Sequence, residues 1–124
     1  MKKIWLIDDD EDDIEIFDSA LRTLTIKNSL IIAKNGEEAL QQILSSTIVD
    51  PDYIFLDLNM PKMNGLKFLT TLRQKKIFDG VPVFIYTTSS FGSDIDHCVN
   101  MGGKLVTKHS SFVALCSELK QILA

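Results

Sequence analysis

Apolar and polar positions along this chain fall into two alternating kinds of segment. Short, continuous apolar runs are typical of buried strands, and longer stretches with apolar residues at helical spacing are typical of amphipathic helices. The apolar runs predict strands over 3–7, 30–33, 53–56, 81–86 and 105–107. Helical spacing after each run predicts helices around 14–24, 39–44, 66–72, 95–99 and 112–122.

A helix after every apolar strand predicts an α/β protein. Strands that are apolar throughout need cover on both faces, and right-handed crossovers place helices there. The economical architecture is a single doubly wound parallel sheet of five strands with five helices. No repeat, linker or low-complexity segment interrupts the pattern, so we expect residues 1–124 to form one domain.

Composition narrows the class of protein. With 45% apolar and 24% charged residues the chain has the composition of a soluble globular protein. Its net charge of -4 argues against direct nucleic-acid binding, which needs a concentrated basic face. No apolar run reaches the length of a membrane span, and the run after Met1-Lys2-Lys3 is too short for a signal peptide. We therefore expect a cytoplasmic location and no contact with membranes.

The two cysteines do not suggest a disulfide or a metal pair. Cys98 and Cys116 each fall on the apolar stripe of a predicted helix. That placement favours buried free thiols.

The first strand runs into a block of acids over 8–13. Such a block is usually solvated or disordered, yet this one lies between an apolar strand and an amphipathic helix. Asp12 and Asp13 are explained as first-turn residues that favour the amino terminus of that helix. Asp8 and Asp9 are left at the end of the strand.

Three further strands end in polar residues. Asp57 follows the third strand and precedes a turn that includes Pro61 and Gly65, whereas Thr87 follows the fourth strand and Lys108 the fifth. An isolated Asp here would most simply cap a turn. However, the carboxyl ends of parallel strands meet at one edge of the sheet, so these side chains are expected to converge with the acids of the first strand.

The converging residue types describe a particular chemistry. Two or three carboxylates in a small space cannot all stay ionised without a cation, which predicts a hard divalent metal such as Mg²⁺. A lysine adds a point charge for an anion, and a threonine hydroxyl adds a hydrogen bond, so the set suits a phosphoryl group. A strand-end Lys is usually only solvated and a strand Thr usually only packs, so the acids carry this interpretation.

These residues, in this order, resemble the receiver domain of two-component response regulators. The resemblance rests on Asp8-Asp9, on Asp57 within Phe-Leu-Asp-Leu-Asn-Met-Pro-Lys-Met-Asn-Gly, on Thr87 and on Lys108, and it spans the whole chain. It implies a flavodoxin-like fold. It also implies that Thr87 and Lys108 hold phosphoryl oxygens during the transfer.

The same resemblance assigns the metal and acceptor roles. Asp57 is implied to be the phosphoryl acceptor. Asp9 is implied to bind Mg²⁺ directly, Asp8 to act mainly through metal-bound water, and the Asn59 main-chain carbonyl to complete the protein's share of the ligands.

The function implied is that of a single-domain response regulator. Its phosphodonor would be a sensor histidine kinase or a phosphotransfer protein, and its output a binding surface. In the family that surface is formed by the fourth helix, fifth strand and fifth helix, where a downstream protein or a second copy would dock. Such a protein is not an enzyme beyond catalysing its own phosphorylation and dephosphorylation.

Two alternatives remain at this point. A degenerate receiver would bind its partners without phosphorylation, which the intact acceptor and acids disfavour. A small Mg²⁺-dependent phosphohydrolase generally has a cap domain or a second acid two residues after its nucleophile, where this chain has Asn59.

Three departures from the usual receiver pattern concern the end of the chain. His109 replaces the usual proline, which favours a trans peptide bond before it; the alternative is a cis bond that the surrounding site holds at a cost of about 2.5–4 kcal/mol. The segment 102–108 looks one residue shorter than is common. Leu105 is the nearest match to the usual switch aromatic, so either that switch is altered or another ring, such as Phe91 or Tyr86, contributes.

Overall fold

The computed structural model describes residues 1–88, 92–108 and 111–124, and within them ten elements alternate between strand and helix. The strands are β1 Lys2–Ile7, β2 Asn28–Ala33, β3 Tyr53–Leu56, β4 Val83–Thr87 and β5 Lys104–Thr107. The helices are α1 Glu11–Arg22, α2 Gly36–Leu44, α3 Gly65–Lys75, α4 Ser93–Asn100 and α5 Phe112–Leu123. The predicted α/β class is confirmed.

The strands form one parallel sheet in the order β2-β1-β3-β4-β5. From β1 the chain moves outward to β2, returns to β3 on the other side of β1, and continues to β4 and β5. The strand order therefore reverses between β1 and β3. In open α/β sheets this reversal creates a crevice at the carboxyl ends of the strands, where ligands bind.

Alternation along the strands builds a core on each face of the sheet. In β1, Trp5 and Ile7 belong to the core on one face, whereas Ile4 and Leu6 belong to the core on the other. Helices α2, α3 and α4 contribute buried residues to the first core, and α1 and α5 to the second. Burying one large apolar side chain contributes ~1.5–3 kcal/mol to the free energy of unfolding. The many buried side chains of the two cores therefore hold the strand ends in place.

The fourth strand differs from the predicted range 81–86. It begins at Val83 and ends at Thr87. Pro82 has no N–H and takes part in the pairing only through its carbonyl, which accepts a hydrogen bond from the Ile54 N–H at 3.0 Å. The shift matters because it makes Thr87 the last residue of the strand.

Asn35, Ser93 and either Ser110 or Ser111 precede helical patterns in the sequence and are predicted to cap those helices, and the structure agrees in two of the three cases. The Asn35 and Ser111 side chains accept hydrogen bonds from the first turns of α2 and α5; Ser110, the other candidate for α5, lies outside the described residues. Ser93 was expected to cap α4 but is its first helical residue, and Gly92 occupies the cap position. Gly92 has φ +138°, a conformation that residues with a side chain rarely adopt.

Some residues predicted to face inward are exposed. The buried stripe of α5 is Leu115, Leu119 and Leu123, whereas Phe112, at the start of the helix, is 43% exposed. Val99 of α4 is 46% exposed. The buried face of each of these two helices is therefore narrower than the apolar spacing predicts.

Among the described residues, no helix combines the length and the apolar character needed to cross a bilayer.

Both cysteines are free thiols, but only one is buried. Cys98 lies in the core, and burial raises the pKa of its thiol to about 11. Cys116 is half-buried, and the Thr23 hydroxyl donates to its sulfur at 3.5 Å. The prediction of two free thiols is confirmed, and that of two buried thiols is correct for Cys98 alone.

We expect iodoacetamide to alkylate native Cys116 much faster than Cys98 at neutral pH. The reaction needs an accessible thiolate, and burial of Cys98 blocks access and disfavours ionisation. The pKa of Cys98 in the folded protein exceeds its ordinary value of 9.0, so the protonated thiol contributes to the free energy of unfolding. That contribution to stability is lost as the pH rises from about 9 to about 11. Mass spectrometry of timed samples measures both rates. Cys116→Ser should remove the fast phase, and equal rates in the native protein would contradict the burial of Cys98.

Candidate functional site

The acids after β1 and β3 are held by an extension of the sheet pairing. The Asp8 N–H donates to the Ala33 carbonyl of β2, and the Asp57 N–H donates to the Ile7 carbonyl, both at 2.9 Å. These bonds place Asp8 and Asp57 side by side at the crevice between β1 and β3. Asp8 is fully buried and Asp57 is 5% exposed, whereas Asp9 is exposed.

Three carboxylates meet at this crevice. One ligand oxygen each from Asp8, Asp9 and Asp57 lies within 4.8 Å of the others. Burial raises the pKa of Asp8 to about 6, and the negative charge of Asp57 adds to the shift. Burial likewise raises the pKa of Asp57, with a further contribution from Asp9. Ionising these acids so close together is unfavourable without a cation, and all the atoms that they offer are oxygens. Both features fit a hard divalent cation such as Mg²⁺.

The loop after Asp57 folds back tightly. The Asn59 N–H donates to Asp57 Oδ1 at 3.3 Å, which orients the carboxylate. The Gly65 N–H donates to the Leu58 carbonyl at 3.2 Å. A Cβ at Gly65 would overlap the Asp57 carbonyl and approach the Leu58 Cα to 2.9 Å, so only glycine allows α3 to start this close to the acid.

Lys108 brings a single cation to these acids. Its side chain is only 8% exposed, and its Nζ lies 2.8 Å from Asp13 Oδ2, 2.9 Å from Asp8 Oδ2 and 3.4 Å from Asp57 Oδ2. The contact with Asp8 is an ion pair without the alignment of a hydrogen bond. Burial by itself would lower the pKa of Lys108, but the Asp13 and Asp8 carboxylates outweigh it and hold this pKa above its usual value.

Strand pairing also fixes the main chain of Lys108. Its N–H donates to the Thr87 carbonyl at 2.7 Å, just after Thr107 pairs with Thr87. The ammonium lies 5.3 Å from the centre of the Tyr86 ring, in range for a cation–π contact. Burial raises the pKa of Tyr86 to about 12, so this ring carries no charge at neutral pH.

Thr87 lies at the other side of the crevice. It is fully buried and lines a cavity of about 270 Å³ that also borders Asn59 and the start of α4 at Ser93. Leu58 and Asp94 also line it, so the cavity lies between the loop after Asp57 and the start of α4.

The structure therefore brings the predicted site residues to one edge of the sheet, and it adds Asp13, which the sequence analysis assigned only to the helix terminus. Asp13 is in the first turn of α1, and its N–H donates to the side chain of the cap residue Asp10 at 3.0 Å. When a helix begins close after a strand, some residues of its first turn face the end of that strand. That geometry is the signal that could have placed Asp13 near Lys108.

Leu105, the residue at the usual aromatic position, is 36% exposed on the edge strand β5. Tyr86 is buried, and its ring lies 5.4 Å from that of Phe17. Phe91 and His109 lie outside the described residues, as does the peptide bond before His109.

Comparison with known proteins gives one consistent family. Residues 4–120 match the family model of the response regulator receiver domain. Response regulator Rcp1 from Synechocystis sp. is 34% identical over 98 residues, which is 76% of this chain and 67% of Rcp1. Three other matching proteins are longer, and the match covers 23%, 32% and 14% of their length.

Solved structures agree with that match. The Mn²⁺-bound form of response regulator Rcp1 has a TM-score of 0.85 at 28% identity, covering 98% of this chain and 91% of that chain. The phosphorylated cyanobacterial phytochrome response regulator RcpA has a TM-score of 0.86 at 28% identity, covering 98% and 90%.

Replacing Lys108 by Met should lower the free energy of unfolding by about 3 kcal/mol in metal-free buffer, because the buried Asp8 and Asp57 lose their cation. Urea unfolding in the presence of a chelator measures the change.

Lys34→Met is the matched control. Lys34 also forms a 2.8 Å ion pair, with Glu11, but the two side chains are 52% and 78% exposed. Water already solvates that pair, so its loss should be much less destabilising. Similar losses for the two variants would show that Lys108 does not stabilise the buried acids.

Proposed function

This chain belongs to the response regulator receiver domain family, and from that premise we propose that it is a single-domain response regulator of a two-component phosphorelay. It accepts a phosphoryl group on Asp57 from a sensor histidine kinase or a phosphotransfer protein. Residues 1–124 act as one cytoplasmic regulatory unit. The observation that carries the proposal is the convergence of Asp57 with two other acids and Lys108 at the crevice of the sheet.

Asp57 acts as the nucleophile in this proposal. A carboxylate oxygen of Asp57 attacks the phosphorus, the bond from phosphorus to the donor nitrogen breaks, and its electron pair stays with the donor imidazole. The hydrogen bond from the Asn59 N–H restricts rotation of the carboxylate, which favours a fixed direction of attack.

Asp8, Asp9 and Asp57 are the residues that would hold Mg²⁺, together with the Asn59 main-chain carbonyl. Their crowded oxygens and the raised pKa values of Asp8 and Asp57 support this assignment. When bound, Mg²⁺ supplies positive charge that offsets the repulsion between the carboxylates and the phosphoryl oxygens.

Lys108 and Thr87 hold the oxygens of the transferred group. The Lys108 ammonium already lies 3.4 Å from Asp57 Oδ2, so a phosphoryl group on Asp57 comes within its reach. Thr87 borders the adjacent cavity. Donors that are already oriented toward the transferred group stabilise both the transition state and the acyl phosphate.

The output is a change in the surface formed by α4, β5 and α5. Val99, Leu105 and Phe112 expose apolar side chains on these elements, which supports docking of a downstream protein or a second copy. Lys108 directly follows β5, a strand of this surface, and Thr87 ends the neighbouring strand β4. Either an altered switch that involves Leu105 or a ring such as Tyr86 links the site to it.

Asp57→Asn should abolish phosphorylation by acetyl phosphate and Mg²⁺, because the amide is not a nucleophile. Intact mass spectrometry should show one phosphoryl group on the wild type, stable in acid and lost in base. Asp12→Asn removes an exposed acid outside the site and should label normally. Undiminished labelling of Asp57→Asn would refute the acceptor assignment, and continuous release of inorganic phosphate from small phosphate esters would favour the hydrolase.

Mg²⁺ should stabilise the fold because the unfolded chain has no equivalent site. At a concentration about 100-fold above its dissociation constant, the gain is ~2.7 kcal/mol. Asp9→Asn should remove most of the Mg²⁺-dependent rise in melting temperature. Asp12→Asn makes the same charge change in the same acidic block and should retain the rise. If Asp9→Asn responds like the wild type, the ion binds elsewhere.

A further inference from the structure

Among the described residues, Asp13 makes the shortest contact with the Lys108 ammonium. The Nζ to Oδ2 distance is 2.8 Å, and the pair is aligned as a hydrogen bond. The contact with Asp57 is longer, at 3.4 Å, and that with Asp8 lacks hydrogen-bond alignment. Of these three carboxylates, Asp13 is therefore the one that combines a short distance with hydrogen-bond alignment.

The three carboxylates differ in what else they do. Asp8 and Asp57 belong to the acidic cluster that fits a metal, whereas Asp13 does not. An ammonium group has three N–H donors. A cation in the cluster would draw on Asp8 and Asp57, which would leave Asp13 as the partner of Lys108 before and after phosphorylation.

Lys108 needs such a partner because its side chain is long. The main chain is fixed by the hydrogen bond to Thr87, but a flexible stem separates it from the ammonium. The Tyr86 ring, 5.3 Å away, gives a second contact that is less directional than a hydrogen bond. Asp13, on α1, approaches from a different element and is 32% exposed.

We propose that Asp13 is a positioning residue that anchors the Lys108 ammonium beside Asp57, so that Lys108 meets the phosphoryl group already oriented. The inference rests on the proposed function and extends it to a residue of α1. Asp13 touches neither the acceptor nor the phosphoryl group and acts through Lys108 alone.

The ordinary role of Asp13 is to complement the dipole of α1, and Asp12 provides a control for it. Asp12 lies in the same first turn, carries the same charge and is exposed. Asp12→Asn and Asp13→Asn therefore weaken the dipole interaction alike, and only Asp13→Asn removes the contact with Lys108.

The test is phosphorylation by acetyl phosphate at saturating Mg²⁺. An Asp57 oxygen forms a bond to phosphorus, the bond from phosphorus to the acetyl oxygen breaks, and the electron pair leaves with acetate. We expect Asp13→Asn to lower the rate constant about tenfold, the scale of one lost hydrogen bond to a charged group, and Asp12→Asn by less than about twofold.

A double-mutant cycle shows whether Asp13 acts through Lys108. In the Lys108→Met background, Asp13→Asn should cause no further loss of rate. Urea unfolding of the same variants without metal gives a second measure: residues 13 and 108 should show a coupling that residues 12 and 108 lack.

The outcomes separate this inference from the proposed function. Equal rates for Asp13→Asn and Asp12→Asn, or a loss that persists in the Lys108→Met background, would overturn the role of Asp13 while leaving Asp57 as the acceptor. A wild-type protein that takes no label would overturn both.

Discussion

The crowding of carboxylates at the crevice between β1 and β3 is the constraint on which this structure depends. Asp8 and Asp57 are buried by the hydrogen bonds that extend the sheet, so the pairing that builds the fold also brings two negative charges together. Their raised pKa values show the cost of ionising them there. Lys108 offsets part of that cost. Crowded charges of this kind lower the stability of the fold, and they favour the binding of ions that neutralise them.

Sheet pairing positions the Lys108 ammonium as well as the acids. Lys108 follows β5 and is fixed by a hydrogen bond to the last residue of β4, while the ammonium reaches back across the crevice. The acids lie at the centre of the sheet and Lys108 comes from its edge. Because β5 also contributes to the exposed face with α4 and α5, a change in the position of Lys108 has a short path to the surface that we propose as the output.

The close packing around Asp57 limits which sequences can form this site. Gly65 admits no side chain, since a Cβ would meet the main chain of Asp57 and Leu58. Behind the loop, Phe68 and Leu69 of α3 are fully buried in one of the two cores. Dense packing of this kind gives Asp57 a fixed position, whereas Asp9 and Asn59 stay exposed at the mouth of the crevice.

The sequence by itself determined the alternation of strands and helices and the identity of the residues at the strand ends. Those features are local: apolar runs identify strands, and a parallel sheet places all their carboxyl ends together. The tertiary structure alone decided the start of β4, the exposure of Val99 and Phe112, and the contact between Asp13 and Lys108. That contact joins residues 95 positions apart. The local pattern places Asp13 in the first turn of α1, but the contact also depends on where the fifth strand ends, which no local pattern encodes.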